Sequence, residues 1–256
     1  MSSVSKAPAR SRAANEMVEV GKTVFYALLI ALVLRVLLFQ PFTIPSASME
    51  PTLLTGDYII VSKYSYGYSK HSIPLSPPIF KGRLLGRQPQ RGDIIVFKTP
   101  LDNKTDYIKR LMGLPGDRIQ VKHGTVFING KALAQMPKGQ DQAVIQEAQR
   151  QVDVIRETNL QGRSYLTYSW DPNQDQDNTP VIVVPDGQYF FMGDNRDNSL
   201  DSRFGREVGG VGFVPGENLE GKAQIILLSW HEGASLFKPW TWVLDARPSR
   251  FFHYLY

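Results

Sequence analysis

The 256 residues carry 29 lysines and arginines against 24 aspartates and glutamates, a formal charge of +5, with 42% hydrophobic and 21% charged side chains. That balance supplies one sizeable core or two small ones, and the 21 glycines and 17 prolines favour a turn-rich β fold over a helix bundle. The absence of cysteine excludes disulfides, thiolate catalysis and cysteine-ligated zinc together, while bases scattered among carboxylates argue against nucleic acid and for a solvated surface with some attraction to anionic lipid.

Along the chain, residues 1–22 form a basic tail holding Lys6, Arg10, Arg12 and Lys22, followed by an 18-residue apolar run, Thr23–Gln40. As a helix that run is about 27 Å long, near the hydrocarbon thickness of a bilayer. It has no polar face, and Arg35 lies close enough to its far end to snorkel to the interface. No lysine or arginine follows between Gln40 and Ser62, so the positive-inside rule places the N-terminus in the cytoplasm and the remainder across the membrane. The run also imitates a cleavable signal peptide with small-x-small Ser46-Ala47-Ser48. Cutting there would discard the serine that matters below, so a retained anchor over 23–40 is the expectation.

Beyond the anchor, short β-branched and aromatic runs alternate with Gly, Pro and Asp: Asp57–Tyr64, Asp93–Lys98, Tyr107–Leu111, Arg118–Lys122, Thr125–Ile128, Val181–Val184, Tyr189–Met192 and Gln224–Leu228. This pattern predicts a mainly β domain of antiparallel sheets, with a hairpin turn at His123-Gly124. Ser65–Arg91 reads as a long ordered loop. The polar, Gln-rich stretch 133–180 holds one plausible hairpin around Gly162 and reads as a peripheral β insertion between two catalytic parts, 41–132 and 181–256. The C-terminal aromatics Trp230, Trp240, Trp242, Phe251, Phe252, Tyr254 and Tyr256, with Lys238, Arg247 and Arg250 among them, suit either a bilayer interface or core packing.

Three segments hold candidate chemistry. Ser48 lies on a turn stiffened by Pro45 and Pro51. In the strand Asp106–Arg110, Tyr107 and Lys109 share one face while Ile108 and Arg110 share the other, so one of the two cations must face a cleft or the core. Gly193–Gly205 is a dense polar run after an apolar strand, as in a hydrogen-bonded loop framing a site. Asp194, Asp197 and Asp201 could serve a calcium loop, but the spacing does not match an EF-hand and Arg196 and Arg203 intrude. None of the four histidines lies in these segments and no nucleophile-elbow motif accompanies them, which leaves a Ser-His-Asp triad without support.

Together PSASMEPTLLTGDYIIVSK, RGDIIVF, DYIKRLMGLPGD and GDNRDNSLDSR, in that order behind an N-terminal anchor, resemble the boxes of the type I signal peptidase family. The resemblance implies the signal-peptidase β fold and a Ser/Lys endopeptidase that frees exported preproteins of their signal peptides after small-x-small motifs. Position by position it implies Ser48 as nucleophile and Lys109 as base, and an oxyanion hole from Ser46 and the Ser48 N–H. It also implies Ser199 hydrogen-bonded to the Lys109 amine, and Asp201 with Arg203 as braces. Phe42, Ile44, Met49, Leu53, Asp106, Tyr107 and Ile108 flank these groups and are expected to form the substrate pockets. The implied setting is the bacterial cytoplasmic membrane, single-pass, with signal peptides and membrane lipid as partners, no nucleic acid, no cofactor and no metal. The chain departs from the family at Ala47, often glycine, and in the longer Gly205–Val211. A lysine acts as base only when neutral, which near pH 8 requires its pKa to fall by about 2.4 units, roughly 3 kcal/mol, through desolvation. Tyr107, Phe97, Ile108 and Met112 are the apolar cover expected to desolvate it. A self-cleaving repressor would need a DNA-binding module where the anchor lies, and an inactive tethered β domain would be indifferent to loss of Ser48 or Lys109.

Overall fold

A computed structural model describes residues 9–145, 148–171, 174–231 and 240–255. It opens with helix α1 (Ala9–Leu37), continuous from the basic tail into the apolar run; Lys6 lies outside the described residues. Within α1, Asn15–Leu37 is 23 residues long with mean hydropathy 2.0, long and apolar enough to cross a bilayer, and none of that window is buried against the protein. A core helix of a soluble domain would be covered. The helix stops short of the expected Gln40, because Pro41 disfavours helical backbone in the residue before it and because Phe39 and Gln40 already pair with the sheet.

The strands are β1 (Phe39–Thr43), β2 (Asp57–Ser62), β3 (Ile94–Lys98), β4 (Asp106–Gly113), β5 (Arg118–Lys122), β6 (Thr125–Ile128), β7 (Lys131–Ala132) and β8 (Ala134–Ile145). They continue as β9 (Ala148–Thr158), β10 (Ser164–Ser169), β11 (Ile182–Val183), β12 (Gln188–Met192), β13 (Val214–Pro215), β14 (Leu219–Ser229) and β15 (His253–Tyr254). All pairings of one strand with another are antiparallel. The main sheet runs β1-β2-β14-β3-β4-β12-β13, with β15 also on β14; β11-β5-β6-β7 and β10-β9-β8 form two smaller sheets.

Strand β3 shows why its sequence is an unbroken apolar run. Ile94 and Val96 enter one core cluster with Met49, Leu53, Ile59 and Val61, while Ile95 and Phe97 enter another with Leu111, Phe191 and Leu219. Both faces are covered, so neither tolerates a polar residue. On β4, the register sets Lys109 opposite Ile95 and Tyr107 opposite Phe97. Strand β12 pairs β4 only from Arg110 to Gly113, so the other edge of Asp106–Lys109 has no strand partner among the described residues.

At the C-terminus the bases serve the fold: Arg250 bonds the buried Asp57 at 2.5 Å and Arg247 lies 3.8 Å from it. Trp230 packs edge-on against Tyr58 and tilted against Phe251, whereas Trp240, Trp242, Phe252 and Tyr254 are exposed. Lys238 and Tyr256 lie outside the described residues.

Candidate active site

Ser48 sits in a single 3-10 turn, Ala47–Met49, directly after β1. The turn is pinned from below by Met49, which is fully buried, and closed by the Glu50 N–H bonding the Ala47 carbonyl at 3.1 Å. From β4, Lys109 reaches the same point, its Nζ 2.6 Å from Ser48 Oγ. The amine is almost wholly buried, 4% exposed, and the Tyr107 ring centroid lies 5.6 Å away. Burial lowers the Lys109 pKa; the Asp201 and Asp194 carboxylates pull it partly back and Arg203 opposes them, leaving it at about 8. Of the expected cover, Met112 belongs to a different cluster, with Ile119 and Phe190.

The carboxylates fail to rescue the ammonium because each is already engaged. Arg110 grips Asp194 with Nε and Nη2 at 2.7 and 2.6 Å, and Arg203 grips Asp201 with both contacts at 2.9 Å. Both cations of β4 are therefore buried, not one: Lys109 beside the serine, and Arg110, 1% exposed, inside an ion pair. Charges so arranged leave a lysine without its own counter-ion, which is what lets desolvation dominate.

The polar loop after β12 also holds the serine turn from behind. Asn195 donates its side-chain N–H to the Ala47 carbonyl at 3.1 Å and its backbone N–H to the Ser48 carbonyl at 3.2 Å. Asp201 accepts from the Gly193 N–H at 2.9 Å. Gly193 admits no side chain: a Cβ there would lie 2.3 Å from Ser199 Oγ and 2.5 Å from the Ser48 carbonyl oxygen. Asn195 and Gly193 were visible only as members of a motif; their contact with Ser48 bridges 147 and 145 positions of chain, beyond any local pattern.

Around Ser48 and Lys109 lies a cleft of about 720 Å³, lined also by Ser46, Asp106, Tyr107, Ile108, Asn198 and Leu200. No histidine lines it. His71 lies in a separate pocket with Nδ1 3.0 Å from Ser76 Oγ, but its Nε2 is buried without a partner among the described residues, so none of their carboxylates orients that ring. Residues 17–230 match the family model for signal peptidase, peptidase S26.

The chain belongs to the S26 signal peptidase family.

Among its relatives, the signal peptidase I of Rickettsia typhi is 43% identical over 250 residues, spanning 90% of this chain and 91% of that one. That of Rickettsia massiliae is 42% identical over 257 residues, spanning 93% and 92%. A crystal structure of a signal peptidase I from Enterococcus faecalis aligns over 53% of this chain and 97% of its own at 28% identity, with a TM-score of 0.31, too low to bear on the fold. This protein is thus a peptidase of that family, with one helix among the described residues able to serve as a membrane anchor.

Three expectations for this signal peptidase's site need correction. Ile44, Met49 and Leu53 are sealed in the core at 2%, 0% and 0% exposure and do not line the open cleft; Phe42 packs against the same cluster. Their nearness to Ser48 in sequence does not expose them, because the turns after β1 fold all three onto Ile59, Val61, Ile94 and Val96 of the sheet. Ile108 alone belongs to both, packing on that cluster and facing the cleft. The bond from Ser199 to the lysine is absent: Ser199 Oγ is buried without a partner among the described residues, the amine being directed at Ser48. Finally, 133–180 is not peripheral. Glu157 of β9, fully buried, binds Arg196 of the active-site loop at 2.8 and 2.6 Å. The Tyr165 ring of β10 lies 3.9 Å under the Arg110 guanidinium, and Gln174 and Gln176 line the cleft. The three aspartates weighed as a calcium loop are dispersed, Asp194 to Arg110, Asp201 to Arg203 and Asp197 to the Trp170 and Asp171 N–H groups.

Proposed function

We propose that this peptidase removes signal peptides from exported preproteins through an acyl-enzyme on Ser48, with Lys109 as general base. The observation that carries the reading is a buried amine, its pKa lowered to about 8, lying 2.6 Å from a serine hydroxyl at the floor of an open cleft. A serine hydroxyl is a weak nucleophile until a neighbour accepts its proton. The neutral amine takes that proton as Oγ bonds the scissile carbonyl carbon. The Ser48 N–H then steadies the oxyanion, with the Ser46 hydroxyl beside it, 3.4 Å from Ser48 Oγ. Collapse expels the new amine terminus, which takes the proton back from Lys109. Water, deprotonated by the same amine, then frees Ser48.

The unpaired edge of Asp106–Lys109 faces this cleft and suits an extended substrate added as a further strand, its backbone bonds indifferent to sequence. The Ile108 wall, backed by the rigid Met49–Leu53 core, favours small side chains next to the scissile bond. The basic N-terminal flank of α1 sets the tail in the cytoplasm and the cleft on the far side, where translocated precursors emerge. Ser48→Ala and Lys109→Ala each lower kcat on a preprotein by at least ~10³-fold while circular dichroism stays native, and the wild-type rate climbs with pH through about 8 as the amine loses its proton. Preprotein cleavage surviving either substitution would refute the mechanism.

A further inference from the structure

The loop between β2 and β3 takes no part in the chemistry above, yet it is unusual in three ways. Its tip displays large apolar side chains to solvent: Leu75 at 102%, Leu85 at 81%, Ile79 at 67% and Leu84 at 58% exposure. A water-facing loop has no use for four such residues together. The display is held rather than floppy. Leu75, Ser76 and Leu85 have φ of +66, +48 and +52, a region bulky residues rarely enter and keep only where surroundings impose it. The neck is pinned by the Tyr68–Leu84 bridge, and a side chain on Gly67 would collide with the Leu84 and Leu85 carbonyls at 2.3 and 2.5 Å.

The loop is also fastened to the end of α1. Tyr68 donates its hydroxyl to the Leu37 carbonyl, the last helical residue, at 2.7 Å, and the Lys63 N–H bonds the Leu38 carbonyl at 2.9 Å. A cavity of about 490 Å³ between them is lined by Arg35 of α1, by Lys104, Pro74 and Leu75, and by Lys98 together with its partners Asp106 and Glu220. The charge of the loop itself is one-sided: between Asp57 and Asp93 the sequence has Lys63, Lys70, Lys81, Arg83, Arg87 and Arg91 and not one carboxylate. Of these, Lys63, Lys70, Arg83 and Arg91 have partners within the protein, while Lys81 and Arg87 stay exposed near the apolar tip.

We infer that residues 73–85 are a second contact with the bilayer that holds α1, with Leu75, Ile79 and Leu85 in the headgroup–acyl boundary and Arg35, Lys81 and Arg87 against anionic headgroups. The inference rests on reading α1 as a membrane span. Exposed leucines beside bases, at the level where a spanning helix leaves the lipid, meet the two requirements of interfacial binding, apolar area and attraction to anionic lipid. Such a contact fixes the height and tilt of the cleft above the membrane, which a single helix alone does not.

The chain contains no cysteine, so single-cysteine variants of the full-length protein report one site each. Leu75→Cys, Leu85→Cys, Val33→Cys on α1 and Val144→Cys on β8 are labelled with a polarity-sensitive fluorophore. They are then placed in nanodiscs of phosphatidylglycerol and phosphatidylcholine, with or without brominated acyl chains. Expected is strong quenching by brominated lipid at 33, at least half as much at 75 and 85, and none at 144. Probes at 75 and 85 that stay as open to aqueous iodide as the one at 144, while 33 is quenched, overturn the inference and spare the anchor. Loss of quenching at 33 as well overturns both. Protection at 75 and 85 that appears only at high protein density, or only when a signal peptide is added, assigns the surface to a second copy or to substrate and equally overturns it.

Discussion

A lysine enclosed as Lys109 is enclosed works against the fold that holds it. Below pH 8 the folded chain carries a buried ammonium, whereas the unfolded chain keeps the same proton in water up to its ordinary pKa of 10.5. Between those values the unfolded state binds more protons, so stability rises with pH there. The folded protein is therefore handicapped at neutral pH by about 3 kcal/mol. Lys109→Met removes the handicap: its melting temperature exceeds wild type at pH 7, and the gap closes towards pH 10.5, as calorimetry across that range reads directly. A gap independent of pH would mean the amine is not desolvated. Gly193→Ala acts in the opposite way, since its methyl meets Ser199 Oγ and the Ser48 carbonyl inside contact distance. Relief of that clash moves the serine turn away from the amine, so kcat falls by about 10²-fold for a displacement near 1 Å, with KM for peptide little changed. Steady-state kinetics separates the two terms.

At the scale of strands and loops, the inserted sheet β8–β10 is joined to the active-site loop by backbone bonds between Tyr168 and both Asp194 and Arg196 and by a buried ion pair, Glu157 with Arg196. Glu157→Gln strips Arg196 of its charge partner at 0% and 6% exposure, and breaking a buried pair from one side costs about 3–5 kcal/mol. Because Arg196 follows Asn195, which holds the Ala47 and Ser48 carbonyls, peptidase activity falls together with the melting temperature. Adding Arg196→Met to Glu157→Gln recovers most of the stability; denaturant titration of the two single variants and the pair measures the coupling. Nothing in the sequence announced this joint. Glu157 and Arg196 lie 39 positions apart, and Arg110 and Tyr165 meet across two different sheets. What could be read were features with a short period: the alternation in Asp106–Arg110 that splits Lys109 from Arg110, the apolar run of β3, the fourfold motif around Ser48. The same local reasoning took Ile44, Met49 and Leu53 for pocket walls because they adjoin Ser48, whereas packing on β2 and β3, distant in sequence, draws them inward, and it ran the anchor to Gln40 because hydropathy does not register the strand pairing that ends the helix at Leu37.

Over the whole molecule, one residue, Leu38, separates α1 from β1, and Ser48 follows only ten positions later. With Tyr68 and Lys63 clasping the helix end, anchor and cleft move as one piece, so the serine stands at a set height above the lipid. If the 73–85 tip also rests on the bilayer, the domain is held at two points, and loss of either leaves the other to keep that height. A flexible ten-residue Gly/Ser insert after Leu38 frees the domain over roughly 18 Å of tether. Leu75→Asp with Leu85→Asp removes the second point. Each change alone lowers kcat/KM on a membrane-inserted precursor by about twofold to threefold. Together they release both restraints, and the loss exceeds the product of the two, at least ~10²-fold, as expected when local concentration is supplied by two linked contacts. Hydrolysis of a short soluble peptide stays at wild-type rate throughout, because neither change touches Ser48, Lys109 or the edge of β4. Effects on the precursor that merely multiply would mean that the two contacts act independently and that height above the membrane does not govern cleavage.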